Sequence, residues 1–350
     1  MGQHFLDALS RRMTRLPVTV VATLERLQHL LTSRTLTILV AHFYDRSGGR
    51  LFDKPSLDLN LEYLSRECNV MPLREALRRL EEGRPLPQRA VSLVVDDAAG
   101  PFFEMGWPSL RAAGVPFSLG VIPGMVLADT TDHLVARIMY GVTSIEAEDG
   151  RRAMLTRAQA LLGNATWNDK RPLEQLFTAI RYVDRDGLAN IATQLGVPDE
   201  AYMTWEQLTE LRSRGVDLHS HSMSHPRFQQ VTGSWLEWEL SRSAELLEEQ
   251  TSEPADTFVF PYGSSRSVTE PVRSALGRHG YRYSLVTRPG ITTPVSDRYL
   301  LPRVNAEVSP EEFATSVRRR SWVFTGLRRT VTPEDPLSRA GSMMARRSLT

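Results

Sequence analysis

The feature that most constrains this chain is an alternation: short β-branched runs at 35–42, 90–96, 116–122, 215–220, 256–260, 283–286 and 300–304 are separated by amphipathic helical stretches. Repetition of this kind makes parallel strands joined by crossover helices, and the number of runs suits a small or incomplete barrel. Helix punctuation agrees with the reading. Leu73, Ala76, Leu77 and Leu80 recur at helical spacing, with Gly83 placed for a left-handed stop. Thr204 with Gln207, Ser234 with Glu237, and Ser267 with Glu270 each have the form of a capping box.

Residues 125–198 interrupt the alternation with a long helical stretch and no clear strand, which predicts an insertion between two barrel strands. The expected organisation is a helical segment at 1–34, a barrel over 35–308, and a capped helix with a polar, Ser/Arg-rich end over 309–350. With 42 basic and 41 acidic residues, no global field recruits nucleic acid. The single cysteine, Cys68, excludes an intrachain disulfide framework and a multi-cysteine zinc cluster, fits a reducing compartment, and is expected in the core. The apolar run at 16–24 contains Pro17, Thr19 and Thr23 and is closed by Glu25-Arg26, which is not the pattern of a secretory signal. The expectation is a cytoplasmic protein.

Two clusters carry chemistry. The buried run Val91-Ser92-Leu93-Val94-Val95 delivers Asp96 and Asp97 to a point where the chain must turn. In α/β barrels the C-terminal ends of the strands hold the active site. Adjacent strand residues point to opposite faces, so both acids serve one site only if the backbone twists immediately after the strand. Standing alone, the pair could equally be a solvated acidic turn. The second cluster is His219-Ser220-His221-Ser222-Met223-Ser224-His225, three imidazoles in seven residues at the end of another strand. Two His and one Asp meet the needs of a hydrolytic zinc site, with His221 and His225 the preferred pair. His219 shares strand parity with His221 and should lie deeper, where support of a ligand, a core role and ligation itself all stand open. A third element, Phe260-Pro261-Tyr262-Gly263, ends a further strand in a tight turn able to present a backbone N–H.

In order and spacing these elements resemble the polysaccharide deacetylases, carbohydrate esterase family 4. Val94-Val95-Asp96-Asp97-Ala98 is similar to the family's Thr-Phe-Asp-Asp-Gly motif, and His221-Ser222-Met223-Ser224-His225 matches its His-Ser/Thr-x-x-His motif. The likeness extends from Ile38-Leu39-Val40-Ala41-His42 to Leu300-Leu301-Pro302-Arg303-Val304. It implies an α/β fold of the incomplete or distorted (β/α)7 barrel type with a helical insertion. By the resemblance Asp96 is the general base, Asp97, His221 and His225 bind a divalent metal, with zinc first and cobalt an alternative, and the Tyr262 backbone helps hold an oxyanion.

The chain departs from the family in three places. No histidine follows His279, so the usual late catalytic His is absent, and His42 resembles the early His of permuted relatives as the general acid. His279, at a predicted helix C-terminus, is explained by a dipole contact. Ala98 replaces a glycine, which strains the turn if φ is positive there. Val259 stands where relatives often place an arginine that orients the base, leaving Arg303 as the substitute.

The implied function is removal of an N-acetyl group from an amino sugar in a polysaccharide, glycolipid or glycan precursor. A deformylase, a non-sugar amidase, or a non-catalytic glycan binder are the competing classes. Near the end, the basic and aromatic stretch 318–329 reads as a helix packed on the barrel or as a weak contact with the inner membrane surface.

Overall fold

A computed structural model describes residues 33–42, 54–128, 130–163, 167, 170–197 and 202–321. The segment expected at 1–34 lies almost wholly outside these residues, and so do the side chains of 318–329.

Among the described residues, eight strands are all paired in parallel: β1 Thr37–Ala41, β2 Asn69–Val70, β3 Ala90–Val95, β4 Ser118–Val121, β5 Asp217–Ser220, β6 Thr257–Val259, β7 Tyr283–Thr287 and β8 Leu301–Asn305. Seven of them close into a barrel in the order β1-β8-β7-β6-β5-β4-β3, shut by pairing of β1 with β3 from Thr37↔Val91 to Ala41↔Val95. Closure removes the exposed edges an open sheet would leave. The two-residue β2 pairs only with Ala90 and Val91, at the start of β3, while β4 takes the end of that strand. Each of the seven β-branched runs is a barrel strand; β2 is too short to show a period.

Registered neighbours face the same side of a sheet, so Arg303, whose side chain meets Asp96 inside the barrel, sets the parity. Ile38, Val94, Val259, Leu285 and Leu301 therefore face inward, and all are buried. They form one apolar cluster with Leu73, Ala76, Leu77 and Leu80. Those four residues are the apolar stripe of helix α2 (Leu73–Glu81), which follows α1 (Lys54–Glu67). Burying one such leucine contributes on the order of 2 kcal/mol. Gly83, at φ +68, ends the turn after α2 as its sequence position predicts.

Helices α3 (Trp107–Ala113) and α4 (Pro123–Val126) flank β4, and then four more fill the insertion: α5 (Thr131–Thr143), α6 (Glu148–Leu161), α7 (Pro172–Ile180) and α8 (Arg185–Leu195). Among the described residues this stretch contains no strand. Helix α9 (Trp205–Ser213) then leads into β5, α10 (Gly233–Thr251) and α11 (Glu270–Arg278) follow β5 and β6, and α12 (Pro310–Ser321) follows β8. No helix among the described residues is long and apolar enough to cross a membrane.

Of the three capping boxes, only that of Thr204 and Gln207 forms, with both reciprocal bonds made. Ser234 lies inside the first turn of α10, whose cap position is Thr232; the Thr232 hydroxyl instead donates to Glu174 of the insertion, at 2.7 Å. Ser267 is not the cap of α11 either, because Thr269 is. Pro271 explains the shift. A cap at Ser267 would have required an N–H from Pro271 for the first helical bond, whereas a start at Glu270 leaves proline in the first turn, where it is tolerated. Cys68, expected in the core, is partly buried against its outer layer.

Candidate metal centre and active site

Strand β3 ends at Val95, the Asp96 N–H continues the ladder to the Ala41 carbonyl at 2.8 Å, and the backbone then turns left-handed at two successive residues, Asp97 (φ 77) and Ala98 (φ 53). This is the twist the adjacent acids required: it breaks the pleat and turns both carboxylates toward one place. Left-handed backbone costs a non-glycine residue roughly 1–2 kcal/mol. The loop is clasped by the residues just before α9, where Met203 N–H donates to the Ala98 carbonyl at 2.9 Å and Tyr202 bridges Ala99. Ala98 keeps the positive φ there, so strain and not another turn type is the consequence of the missing glycine.

The Asp96 carboxylate is held from across the barrel. Arg303 Nη1 on β8 donates to Asp96 Oδ1 at 2.6 Å, with both side chains buried. The Val259 position cannot do this; its side chain lies in the apolar interior cluster, and its carbonyl has another task. It accepts a hydrogen bond from His221 Nδ1 at 2.7 Å, in the tautomer that leaves Nε2 with a lone pair facing the carboxylates. His221 Nε2 lies 3.4 Å from Asp97 Oδ1, and His225 Nε2 lies 3.3 Å from the same oxygen. All three side chains are buried and offer ligand atoms within 4.8 Å of one another. Gly120 on β4 makes room beside them, since a Cβ there would meet Asp96 Oδ1 at 3.3 Å and the His221 Cβ at 3.5 Å.

His42 follows β1 and opens toward the barrel's upper surface. Its Nε2 is 4.0 Å from Asp97 Oδ2, and its Nδ1 is 3.0 Å from Glu307 Oε2, while its backbone N–H donates to Glu307 Oε1 at 2.8 Å. Burial alone would push this imidazole down; the Glu307 hydrogen bond, then the Asp97 and Asp96 charges, outweigh it and raise it to about 9. Glu307 was not singled out from the sequence. The available signal was a carboxylate two residues beyond the end of β8, at the catalytic end of the barrel.

Tyr262 sits in its turn at φ 59, and Gly263 beside it, itself at φ +64, is obligatory because a Cβ would collide with the Thr287 side chain and backbone. The Tyr262 ring lies 4.8 Å from the His225 ring, and the Arg227 guanidinium lies 4.0 Å over the tyrosine. A further residue that the sequence did not mark, Tyr140 of α5, brings its ring to 6.3 Å from His225. The insertion thus contributes directly to the wall of the site. His219 lies in the barrel beneath this cluster, registered with Gly120, fully buried and without a hydrogen-bond partner for either ring nitrogen among the described residues. Burial drops its pKa to about 3, so it is a neutral core histidine. His279 is remote; it caps α11 and binds Glu237 at 2.6 Å, an ion-pair contact in place of a dipole contact alone.

Known proteins resemble this chain both in sequence and in fold. Residues 176–284, which include β5, His221, His225 and the Tyr262 turn, match the polysaccharide deacetylase family model. The Bacillus subtilis protein YxkH, named for the same family, is 26% identical over 109 residues, which is 31% of this chain and 37% of YxkH. The fold resembles that of the deacetylase PplD from Streptococcus pyogenes (TM-score 0.53, 15% identity, 82% of this chain and 98% of that one). It also resembles a de-N-acetylase from Aggregatibacter actinomycetemcomitans (TM-score 0.50, 13% identity, 81% and 99%) and IcaB from Ammonifex degensii (TM-score 0.50, 15% identity, 81% and 97%). The chain is therefore similar to the polysaccharide deacetylases, in sequence over 176–284 and in fold across the parallel barrel.

Proposed function

We propose that this protein is a metal-dependent hydrolase that removes the acetyl group from an N-acetylated amino sugar of a glycan, glycolipid or glycan precursor. One observation carries the reading: Asp97, His221 and His225 converge at the C-terminal mouth of the barrel between an arginine-held carboxylate, Asp96, and a carboxylate-held imidazole, His42. The donor set fits a divalent cation, zinc above others, because it offers two imidazole nitrogens and one carboxylate oxygen and the Val259 carbonyl fixes the His221 tautomer. A cation held by Asp97, His221 and His225 would supply Lewis acidity and lower the pKa of a water at the mouth.

The chain's own groups do the rest. Arg303 occupies Asp96 Oδ1 and leaves Oδ2, 3.9 Å from His221 Nε2, to take a proton from the attacking water. Oxygen adds to the amide carbon, the C–N bond breaks, and acetate and a free amine result. His42, held by Glu307 with its Nε2 4.0 Å from Asp97 Oδ2, is the group assigned to give the amine nitrogen its proton. The Tyr262 turn is the candidate for backbone stabilisation of the developing oxyanion.

The test is acetate release from N-acetylglucosamine oligomers by protein reloaded with zinc or cobalt, beside Asp97→Ala and His221→Ala. Release that both variants abolish supports the assignment. Stoichiometric metal without release from any acetylated sugar would move the reading to formamides or non-sugar amides, and absence of metal binding would replace it with glycan binding alone.

A further inference from the structure

We infer that Glu239 is a positioning residue for the metal-ligating loop, and that it acts by anchoring the backbone between His221 and His225. The inference rests on the metal reading above but concerns a residue eighteen positions downstream of His221, on helix α10.

The loop has unusual needs. Ser222 (φ 67) and His225 (φ 55) are left-handed, so residues 222–225 cannot join the barrel ladder. Their N–H groups are buried and must find acceptors elsewhere. Side chains supply all four: Ser222 N–H donates to Ser220 Oγ at 3.3 Å, His225 N–H to Ser222 Oγ at 3.0 Å, and Met223 and Ser224 N–H both to Glu239 Oε2, at 2.8 and 3.0 Å. Glu239 Oε1 accepts two more, from Ser224 Oγ at 2.5 Å and Trp235 Nε1 at 2.8 Å. Three of the four donors to this carboxylate thus belong to the loop.

Glu239 is completely buried, and so is Trp235, whose indole N–H it accepts. A buried carboxylate is costly unless its lone pairs are filled, and an apolar side chain would serve packing better. What an apolar side chain cannot do is hold two adjacent backbone N–H groups in the one arrangement that aims His221 and His225 at Asp97. The other anchor depends on the same helix, since Ser220 Oγ is bonded to Ser243 Oγ of α10 at 2.8 Å. Helix α10 is in this way a template for the loop, and Glu239 is its main contact.

The experiment compares zinc affinity, by chelator competition, and the visible spectrum of the cobalt-loaded protein for wild type, Glu239→Ala, Glu239→Gln, Ser224→Ala and Trp235→Phe. Apo thermal stability is measured in parallel. Glu239→Ala is expected to bind zinc about 10- to 100-fold more weakly and to change the cobalt spectrum. Glu239→Gln, which keeps one oxygen for the two N–H groups, should restore part of the affinity. Ser224→Ala should weaken binding less than Glu239→Ala, while Trp235→Phe, which removes the one donor outside the loop, should bind like wild type. Wild-type affinity and spectrum in Glu239→Ala, whatever its melting temperature, would reduce Glu239 to a structural residue and overturn the inference. Should that variant not fold, Ser224→Ala decides: affinity equal to that of Trp235→Phe overturns it. If the wild-type chain binds no zinc or cobalt, the metal reading itself fails first, a result distinct from unaffected variants of a binding protein.

Discussion

The two ends of the barrel are built by opposite rules. At the N-terminal end, helix α2 inserts a plain apolar stripe, Leu73, Ala76, Leu77 and Leu80, against inward-facing aliphatic side chains. At the C-terminal end the interior is polar, with Asp96, Asp97, His221, His225 and Arg303 all buried. Strain follows the same division. Among the described residues, five of the seven non-glycine residues with positive φ, Asp97, Ala98, Ser222, His225 and Tyr262, belong to the loops of the site, and Arg89 and Ser252 lie elsewhere. The stabilising contacts and the costly ones are segregated, which lets the costly ones be held in place by a core they do not disturb.

That division can be broken experimentally. His42→Gln is expected to lower kcat about 10²–10⁴-fold, the usual contribution of a positioned acid, with little loss of stability because the side chain is partly exposed. Glu307→Gln should follow with a smaller fall; the pair is read by steady-state kinetics beside a chemical melt. A large melt shift with kcat unchanged would move His42 out of the chemistry.

Arg303→Met and Leu77→Ala then compare the two ends directly. Arg303→Met strands Asp96 in a buried site and should cost about 3–5 kcal/mol, together with most of the activity. Leu77→Ala should cost a similar 2–5 kcal/mol from the lost packing and cavity, yet leave kcat of the folded fraction near wild type. Equal kinetic damage from both would mean that the ends are coupled and the segregation is only geometric.

His219 lies between the two regimes. Replacing this unpartnered imidazole with leucine is expected to raise stability by about 1 kcal/mol and leave the zinc content unchanged. Loss of zinc in His219→Leu would extend the polar site downward by one layer. The smallest effect concerns Cys68, whose thiol is pushed up to about 12 by burial, with Arg89 opposing and Glu67 assisting the shift. A raised thiol pKa keeps the reactive thiolate scarce at neutral pH, so iodoacetamide labelling of native protein should be slow at pH 8 and still rising with pH beyond the usual thiol range. A plateau near pH 8.5 would place Cys68 in solvent.

Local chemistry was legible without the fold. The β-branched runs marked every barrel strand because a strand buried on both faces needs apolar residues at both parities. The α2 stripe and Gly83 were equally plain, since helical period and left-handed stops are properties of neighbouring residues. The capping boxes show where such reading fails: Ser234 and Ser267 have the right spacing, but Glu174 from the insertion and Pro271 from within α11 decided the helix starts.

By itself, the sequence determined the barrel's strand set and the nucleus of the site, because Asp96-Asp97 and His221-x-x-x-His225 are each contiguous and each follows a strand. Only the tertiary structure decided which groups serve them. Arg303 reaches Asp96 across 207 residues and Glu307 reaches His42 across 265, separations at which no local pattern can specify a partner. Tyr140 and Glu239 belong to the same class: each is an ordinary helical residue until barrel closure and helix packing bring it against the loops. Contact between distant residues is set by closure of the sheet and by packing of its helices, which are properties of the whole chain and of no short segment of it.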